Sequence, residues 1–202
     1  PNTGGMGAYS PVPHLDVMDA VVDRVFEPLV KTMRADGNPY TGVIFAGLMI
    51  TRDGPKVLEF NARFGDPEAQ AILPRLESDL AELLLAAVQR DLDAQRPEWS
   101  PSPSVCVVVA GEDYPVKGDK GKPIEGLEDA AQVPGVVVFH AGTANQGGRL
   151  VTNGGRVLGV NATGAGLAEA RERAYEAVAK IRFEGMRFRT DIGLKGLRQE
   201  GS

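Results

Sequence analysis

One cysteine, one tryptophan and two histidines are all that this 202-residue chain holds of the residues that commonly staple, anchor or ligate a small fold. The lone thiol, Cys106, can form no intrachain disulfide, and inside the apolar run VCVVVA it reads as a small core residue. No apolar run approaches the ~20 residues of a membrane span. No charged segment followed by an apolar one opens the chain, so no secretory leader is expected. An excess of positive charge is missing as well: 22 Lys and Arg stand against 27 Asp and Glu, a net charge of -5. That balance argues against a nucleic-acid or polyanion-binding surface, so an anionic substrate must be held by local groups. What is present is ordinary for a globular protein, with 43% hydrophobic and 24% charged residues. The length suits one large or two small domains, no membrane or nucleic acid is expected as a partner, and a cytoplasmic location fits.

The most informative stretch is KVLEFNARFGDPE, residues 56 to 68. Val57, Leu58 and Phe60 are β-formers interleaved with polar residues, so Glu59, Asn61 and Arg63 project from one face of a strand and Leu58 and Phe60 from the other. A carboxylate and an amide oxygen at alternate positions suit Mg²⁺, a hard ion that takes a few protein oxygens and leaves its other positions to water and nucleotide phosphates. Arg63, next on that face, has the fork geometry for a phosphate or carboxylate. Gly65 then permits a sharp turn, Asp66 is a good N-cap, Pro67 suits the first helical position and Glu68 the first turn. A helix N-terminus so placed is expected to face the same pocket. The plainer alternative is an edge strand whose Glu59 and Arg63 make a solvated ion pair.

These residues, with PNTGGMGAYSP at 1 to 11 and YTGVIFAGLMI at 40 to 50, resemble the C-terminal half of the phosphoribosylamine-glycine ligase (glycinamide ribonucleotide synthetase) family. The shorter Glu59-x-Asn61-x-Arg63 pattern resembles the wider ATP-grasp superfamily and recurs in biotin carboxylase. Similarity continues through FHAGT at 139 to 143 and VTNGGRVLGV at 151 to 160. The resemblance implies an α+β fold: the C-terminal part of an ATP-grasp domain, an antiparallel sheet with helices, over residues 1–94, then a small α+β C-terminal domain over 95–202. It further implies an ATP-dependent carbon–nitrogen ligase of purine biosynthesis that joins glycine to 5-phosphoribosylamine through glycyl phosphate. Glu59 and Asn61 would hold Mg²⁺ or Mn²⁺ on ATP, and Arg63 would bind the nucleotide and act in catalysis with Asp66. Asn2, Thr3, Gly4, Gly5, Met6 and Gly7, together with Asp66, Pro67 and Glu68, would bind substrate. Many ATP-grasp enzymes carry another acidic metal ligand on the neighbouring strand; Ala46, Gly47 and Leu48 supply none here, which leaves the metal count open.

Along the rest of the chain, residues 1 to 9 are too rich in Gly for a helix or strand, and backbone amides at Gly4, Gly5 and Gly7 offer an anion close approach. A helix is expected from about Asp16, with Val17, Val21, Val22, Val25, Leu29 and Met33 at helical spacing and Pro28 kinking or splitting it. Gly42 to Thr51 and Lys56 to Phe60 read as strands joined at Asp53 and Gly54. A helix from Ser78 and Asp79 to about Leu92 shows Leu80, Leu83, Leu84, Ala87 and Val88 as its apolar stripe. Arg75, Glu77 and Asp79 read as its solvated end. DAQRPEWSPSPS, 93 to 104, has the composition of an interdomain connection.

Beyond it, Val105 to Ala110, Val136 to His140, Arg149 to Thr152 and Arg156 to Ala162 read as strands and Lys117 to Lys122 as a polar loop. Asn153, Gly154 and Gly155 read as a hairpin turn. Leu167, Ala170, Ala174, Val178 and Ile181 mark a helix with a Glu169–Arg173 pair one turn apart. His14 and His140 read as structural. Arg187 and Arg189 suit either a phosphosugar or solvent, and the tail after Leu197 is expected to be poorly ordered.

Because the chain opens at Pro1, inside the glycine-rich loop, with no lysine before Lys31, it reads as a fragment lacking the N-terminal half of the same enzyme and inactive alone. Its oligomeric state is open. The rival functions are another ATP-grasp carboxylate–amine ligase, which should lack PNTGGMGAY and RFGDPE, and a non-catalytic interaction fragment.

Overall fold

The run SVCVVVA sets the architecture, because a strand without polar alternation must be covered on both faces. In the computed structural model, which describes residues 5–200, that run is strand β4 (Ser104–Ala110), and every residue of it is buried. The order before it is β1 (Gly7–Ser10), α1 (Met18–Val21), α2 (Glu27–Ala35), β2 (Phe45–Thr51), β3 (Gly54–Asn61), α3 (Glu68–Ile72) and α4 (Leu80–Gln89). After it come β5 (Asp119–Pro123), α5 (Leu127–Ala131), β6 (Val136–His140), β7 (Thr143–Gln146), β8 (Arg149–Gly154), β9 (Arg156–Thr163), α6 (Leu167–Lys180), β10 (Arg187–Phe188) and α7 (Leu194–Glu200). The result is the α+β mixture of helices and antiparallel sheet expected. No helix among the described residues is long and apolar enough to cross a membrane.

The chain forms two compact units. The first takes the stretch up to Pro13, Asp66–Arg75 and everything from Ser100 onward; the second takes His14–Gly65 and Leu76–Trp99. The last crossing lies near the expected linker. Two segments from the first 94 residues nevertheless pack with the C-terminal portion.

In the first unit β4 is central, paired antiparallel with β9, which pairs in turn with β6. The other edge of β4 is shared by β1 and β10, at opposite ends of the strand. Val105, Val107 and Val109, opposite Ala162, Val160 and Leu158, pack on Leu167, Ala170, Ala174 and Val178 of α6 and on Ile181 just past its end. The other face carries Cys106, where a Cβ at Gly159 would lie 3.4 Å from its sulfur and 3.9 Å from Gln70 Cγ of α3. Glycine there lets α3 lie close on the sheet. Burial, reinforced by the Asp66 and Glu68 carboxylates, pushes the Cys106 thiol up to about 12, as befits an inert core residue. Ser104 and Asn161, also fully buried, are joined by Asn161 Nδ2 donating to Ser104 Oγ at 2.6 Å, while the buried Asn161 Oδ1 has no hydrogen-bond partner among the described residues. A second small sheet, β5-β8-β7, completes this unit.

Several expectations are corrected here. Glycine did not exclude a strand at the N-terminus: Gly7–Ser10 is β1, because the open edge of β4 supplies the pairing and Gly7 leaves room for Ile192 and the Cys106 carbonyl. The polar loop at 117 to 122 includes β5, whose charged residues are half exposed on an outer strand. Asn153, Gly154 and Gly155 form no hairpin, since β8 and β9 pair in different sheets and the glycines turn a corner between them. The tail is helical as α7 up to Glu200. Arg75 is no solvated end: its Nε donates to the Ser102 carbonyl at 3.1 Å, Nη1 to Ser10 Oγ at 2.7 Å and Nη2 to the Ser100 carbonyl at 2.9 Å. Burial lowers the pKa of this guanidinium.

In the second unit, α1 and α2 are joined through a π-helical stretch, Val22–Phe26, just ahead of Pro28. Proline has no N–H to close the regular ladder, and the wide turn is how the helix continues past it. Strands β2 and β3 form the expected hairpin. Helix α4 begins at the expected cap, Asp79 Oδ1 accepting from Ala81 N at 2.7 Å and Glu82 N at 3.3 Å. Its buried side differs from the stripe read in the sequence: Ala86 is buried and Leu83 half-buried, while Leu84 and Val88 are 40% and 73% exposed.

Two outcomes are expected. Gly126, at φ 82, caps α5 where a Cβ would meet the Lys180 carbonyl oxygen at 1.9 Å. Gly126→Ala should therefore cost at least about 2 kcal/mol in denaturant unfolding. The Cys106 thiol should resist iodoacetamide at pH 8 until the protein unfolds.

Candidate functional site

Strand β3 carries Glu59 and Asn61, the two oxygen-bearing side chains that the sequence singles out. Glu59 and Asn61 occupy alternate positions, with Gly47 opposite Glu59 and Phe45 opposite Asn61 on β2. The ladder shifts between Gly47 and Leu48, where Leu58 has no partner. A Cβ at Gly47 would lie 3.1 Å from Glu59 Cγ, so glycine clears the space that the Glu59 side chain uses. Glu59 is exposed and Asn61 half-buried. Arg63, also exposed, donates from Nη1 to the Phe64 carbonyl at 2.8 Å and keeps its other N–H groups available. Among the described residues no group of three or more His, Cys, Asp and Glu side chains could hold a metal ion. The donors that fit a hard divalent cation are thus the Glu59 carboxylate and the Asn61 amide oxygen, two oxygens of the kind such ions accept alongside phosphate and water.

Asp66, Pro67 and Glu68 belong to the other compact unit. Asp66 is not the N-cap expected of it. Pro67 holds that position, one place earlier than anticipated, and no side chain caps the helix. The Asp66 carboxylate is instead taken by two donors, Arg156 Nη2 at 2.7 Å and Gln70 Nε2 at 3.1 Å. Arg156 Nη1 also donates to the Asp66 carbonyl at 2.7 Å and to the Gly5 carbonyl at 3.2 Å. One guanidinium from β9 therefore ties the glycine-rich segment to the DPE turn. Gly5, at φ 76, is required at that contact, since a Cβ would fall 2.4 Å from Arg156 Nη1. Of the other expected substrate residues, Met6 and Gly7 lead into β1, while Asn2, Thr3 and Gly4 lie outside the described residues.

Glu68 faces a cleft of about 370 Å³ that it lines together with Gly7, Tyr9, Arg189, Asp191 and Lys195, all of the first unit. Burial raises the pKa of Tyr9. Arg189 is paired with Asp191, Nε to Oδ1 at 2.8 Å and Nη2 to Oδ2 at 2.5 Å. The pairing raises the arginine's pKa and lowers the aspartate's. Arg187, the other arginine left open by the sequence, pairs with Glu112 at 2.7 Å. His140 meets Thr143, Nδ1 to Oγ1 at 3.2 Å, and lies outside the cleft.

Sequence reasoning missed Arg156, Tyr9, Asp191 and Lys195. For Arg156 a signal existed: a charged residue opening a Val-rich strand inside VTNGGRVLGV. Its acceptors lie 151 and 90 residues away and no local pattern points to them. Hydrogen bonds to charged groups contribute roughly 1.5–3 kcal/mol when buried, and the half-exposure of Asp66 reduces this. Arg156→Met should cost about 1 kcal/mol of stability on that basis and make the segment around Gly5 a protease-sensitive site. Unchanged limited proteolysis would show that the clamp does not hold it.

Comparison with known proteins follows the same geography. The ATP-grasp (A) domain of phosphoribosylglycinamide synthetase matches residues 1–69, and its C domain matches residues 104–195. The phosphoribosylamine–glycine ligase of Vibrio vulnificus strain YJ016 is 51% identical over 203 residues, 99% of this chain and 47% of that protein. The chloroplastic ligase of Arabidopsis thaliana is 52% identical over 206 residues, covering 99% of this chain and 39% of the relative. The crystal structure of the Thermotoga maritima phosphoribosylamine–glycine ligase superposes with a TM-score of 0.83 at 35% identity, over 95% of this chain and 47% of that one. N5-carboxyaminoimidazole ribonucleotide synthetase of the same organism shares the fold, with a TM-score of 0.59 at 16% identity over 88% and 45%. The chain spans about half the length of the curated relatives it matches. With both domain models in register and half its residues identical to such ligases, the chain belongs to the phosphoribosylglycinamide synthetase family, the ATP-grasp phosphoribosylamine–glycine ligases.

Proposed function

We propose that this chain is the metal- and phosphate-handling half of an enzyme that joins glycine to 5-phosphoribosylamine, with ATP giving ADP and phosphate. The observation that carries the reading is the face of β3 on which Glu59 and Asn61 sit, cleared by Gly47. Family membership supports the choice of substrates.

A carboxylate is a poor electrophile until one of its oxygens becomes a leaving group. The glycine carboxylate therefore attacks the γ-phosphorus of ATP and ADP departs, leaving glycyl phosphate. The amine of phosphoribosylamine then adds to the acyl carbon, phosphate leaves and the nitrogen loses a proton. Such transfers need alignment and charge neutralisation more than a nucleophilic side chain. Glu59 and Asn61 would hold Mg²⁺ or Mn²⁺, which supplies charge neutralisation on the nucleotide phosphates. Arg63 contributes its free N–H groups to the transferring phosphoryl group. Asp66 and Glu68 grip an amine, with the Asp66 carboxylate oriented by Arg156. Backbone amides of the segment from Asn2 to Gly7 receive an anionic group.

In this reading residues 1–94 are the C-terminal portion of the ATP-grasp domain and residues 95–202 the ligase's C-terminal domain, and the enzyme works in the cytoplasm on small molecules. The test is ADP release by the full-length enzyme. It should require both glycine and phosphoribosylamine, and Glu59→Gln should reduce turnover at limiting magnesium at least tenfold with an unchanged melt, because one charged ligand is lost. Undiminished turnover of Glu59→Gln would remove the metal assignment, and ADP release indifferent to phosphoribosylamine would remove the ligase.

A further inference from the structure

Only His14 and Arg90, among the described residues other than glycine, have a positive φ. Arg90, at φ 62 and ψ 37, is the left-handed residue that closes α4. Its N–H donates to the Ala87 carbonyl at 3.1 Å, and that of Asp91 to the Ala86 carbonyl at 2.8 Å. Glycine is the ordinary residue at such a helix end, because a Cβ there crowds the following carbonyl oxygen. A cation beside a helix C-terminus gains from the dipole, but by less than this conformation costs. Nor do contacts of the side chain offset the cost, since the Arg90 guanidinium makes no hydrogen bond or ion pair among the described residues. A strained residue whose charged end is left open points to a ligand for that end.

Arg90 opens onto a cleft of about 580 Å³ that lies wholly within the second unit, between the C-terminal ends of α2 and α4 and the segment leading into β2. Arg34, in the last turn of α2, lines the same cleft, is exposed, and likewise makes no hydrogen bond or ion pair among the described residues. Two like charges on one concavity disfavour each other, and an anion received by both turns that into attraction. The rest of the lining is largely apolar. Tyr40 is half-buried and its hydroxyl donates to the Val43 carbonyl at 2.8 Å, so the ring is fixed and its polar end already used. Gly42, at φ 138, lies against that ring: a Cβ there would stand 3.3 Å from the hydroxyl oxygen and 3.6 Å from Cζ. Val30, Ile44 and Ala87 add apolar wall, and Asp93 supplies one carboxylate. The volume falls within the roughly 300–1,000 Å³ of small-molecule pockets. A ligand that fits has a multi-oxygen anion for the two guanidinium forks, a flat body for the Tyr40 side and a hydrogen-bond donor for Asp93.

We propose that this cleft is a binding site for a nucleoside monophosphate, with Arg34 and Arg90 on the phosphate, Tyr40 and the apolar wall on the base, and Asp93 accepting from a base amino group or a ribose hydroxyl. Two cations beside one carboxylate match a monophosphate better than a triphosphate. No residue assigned to the ligase reaction lines the cleft, and the proposal stands without that reading.

The experiment is calorimetric titration of the full-length enzyme with AMP, GMP and UMP in turn, after a non-hydrolysable ATP analogue in excess has filled the catalytic nucleotide site. At least one monophosphate should show saturable binding, and its nucleoside and inorganic phosphate should each bind more weakly by about tenfold or more. Arg34→Gln and Arg90→Gly should each weaken the monophosphate by about the same factor. Arg90→Gly has a second readout: glycine relieves the left-handed conformation, so the protein should melt at or above the parent temperature while its affinity falls. Arg34→Gln, which leaves that turn alone, is the independent variant and should melt as the parent does. No saturable binding of any of the three, undiminished affinity in either substituted protein, or inorganic phosphate bound as tightly as the best monophosphate would each overturn the proposal.

Discussion

The contact on which the rest of the first unit depends is that of Arg156 with the Gly5 carbonyl, the Asp66 carbonyl and the Asp66 carboxylate. That unit is assembled from three separated pieces of chain, and a β-sheet edge alone would hold the first of them weakly. Arg156 satisfies two backbone acceptors and a charge at the place where the first two pieces meet the third. Arg75 does the same where the Ser10, Ser100 and Ser102 segments converge. Arginine suits both tasks, because its planar fork can serve several acceptors at once while remaining charged. Residues far apart in sequence thereby become one rigid surface, the kind of support that catalytic and binding groups need.

Much of this was legible in the sequence, and the failures have common causes. Glu59 and Asn61 were readable because two-residue periodicity fixes which side chains share a face, but β3 ends at Asn61 and Arg63 lies beyond the strand, and the pairing of Gly47 with Glu59 comes from an irregularity between Gly47 and Leu48 that the hairpin alone does not predict. The α6 stripe and its Glu169–Arg173 pair were readable because their spacing is local; the pair is seen at 2.6 Å. The misreadings were decided by distant partners. Strand β1 exists because β4 has an open edge nearly a hundred residues later, and β5 because β8 pairs with it despite five residues of low β-propensity. Asp66 has every local qualification for a helix cap. A guanidinium from β9 and the Gln70 amide take its carboxylate instead.

The same distinction separates the parts of the candidate site. The face proposed to bind metal is a local pattern on one strand, visible to anyone reading thirteen residues. The cleft of Glu68, Arg189 and Lys195 is a product of the fold, built from β1, α3 and the segment ahead of α7.

The central claim is that a glycine carboxylate is phosphorylated before it is joined to the amine. Isotope transfer in the full-length enzyme tests it most directly. With glycine labelled by ¹⁸O in both carboxylate oxygens, together with ATP and 5-phosphoribosylamine, the account predicts one labelled oxygen in the released phosphate for each molecule of product, the other remaining in the new amide. Phosphate released without label, at full product yield, would contradict it.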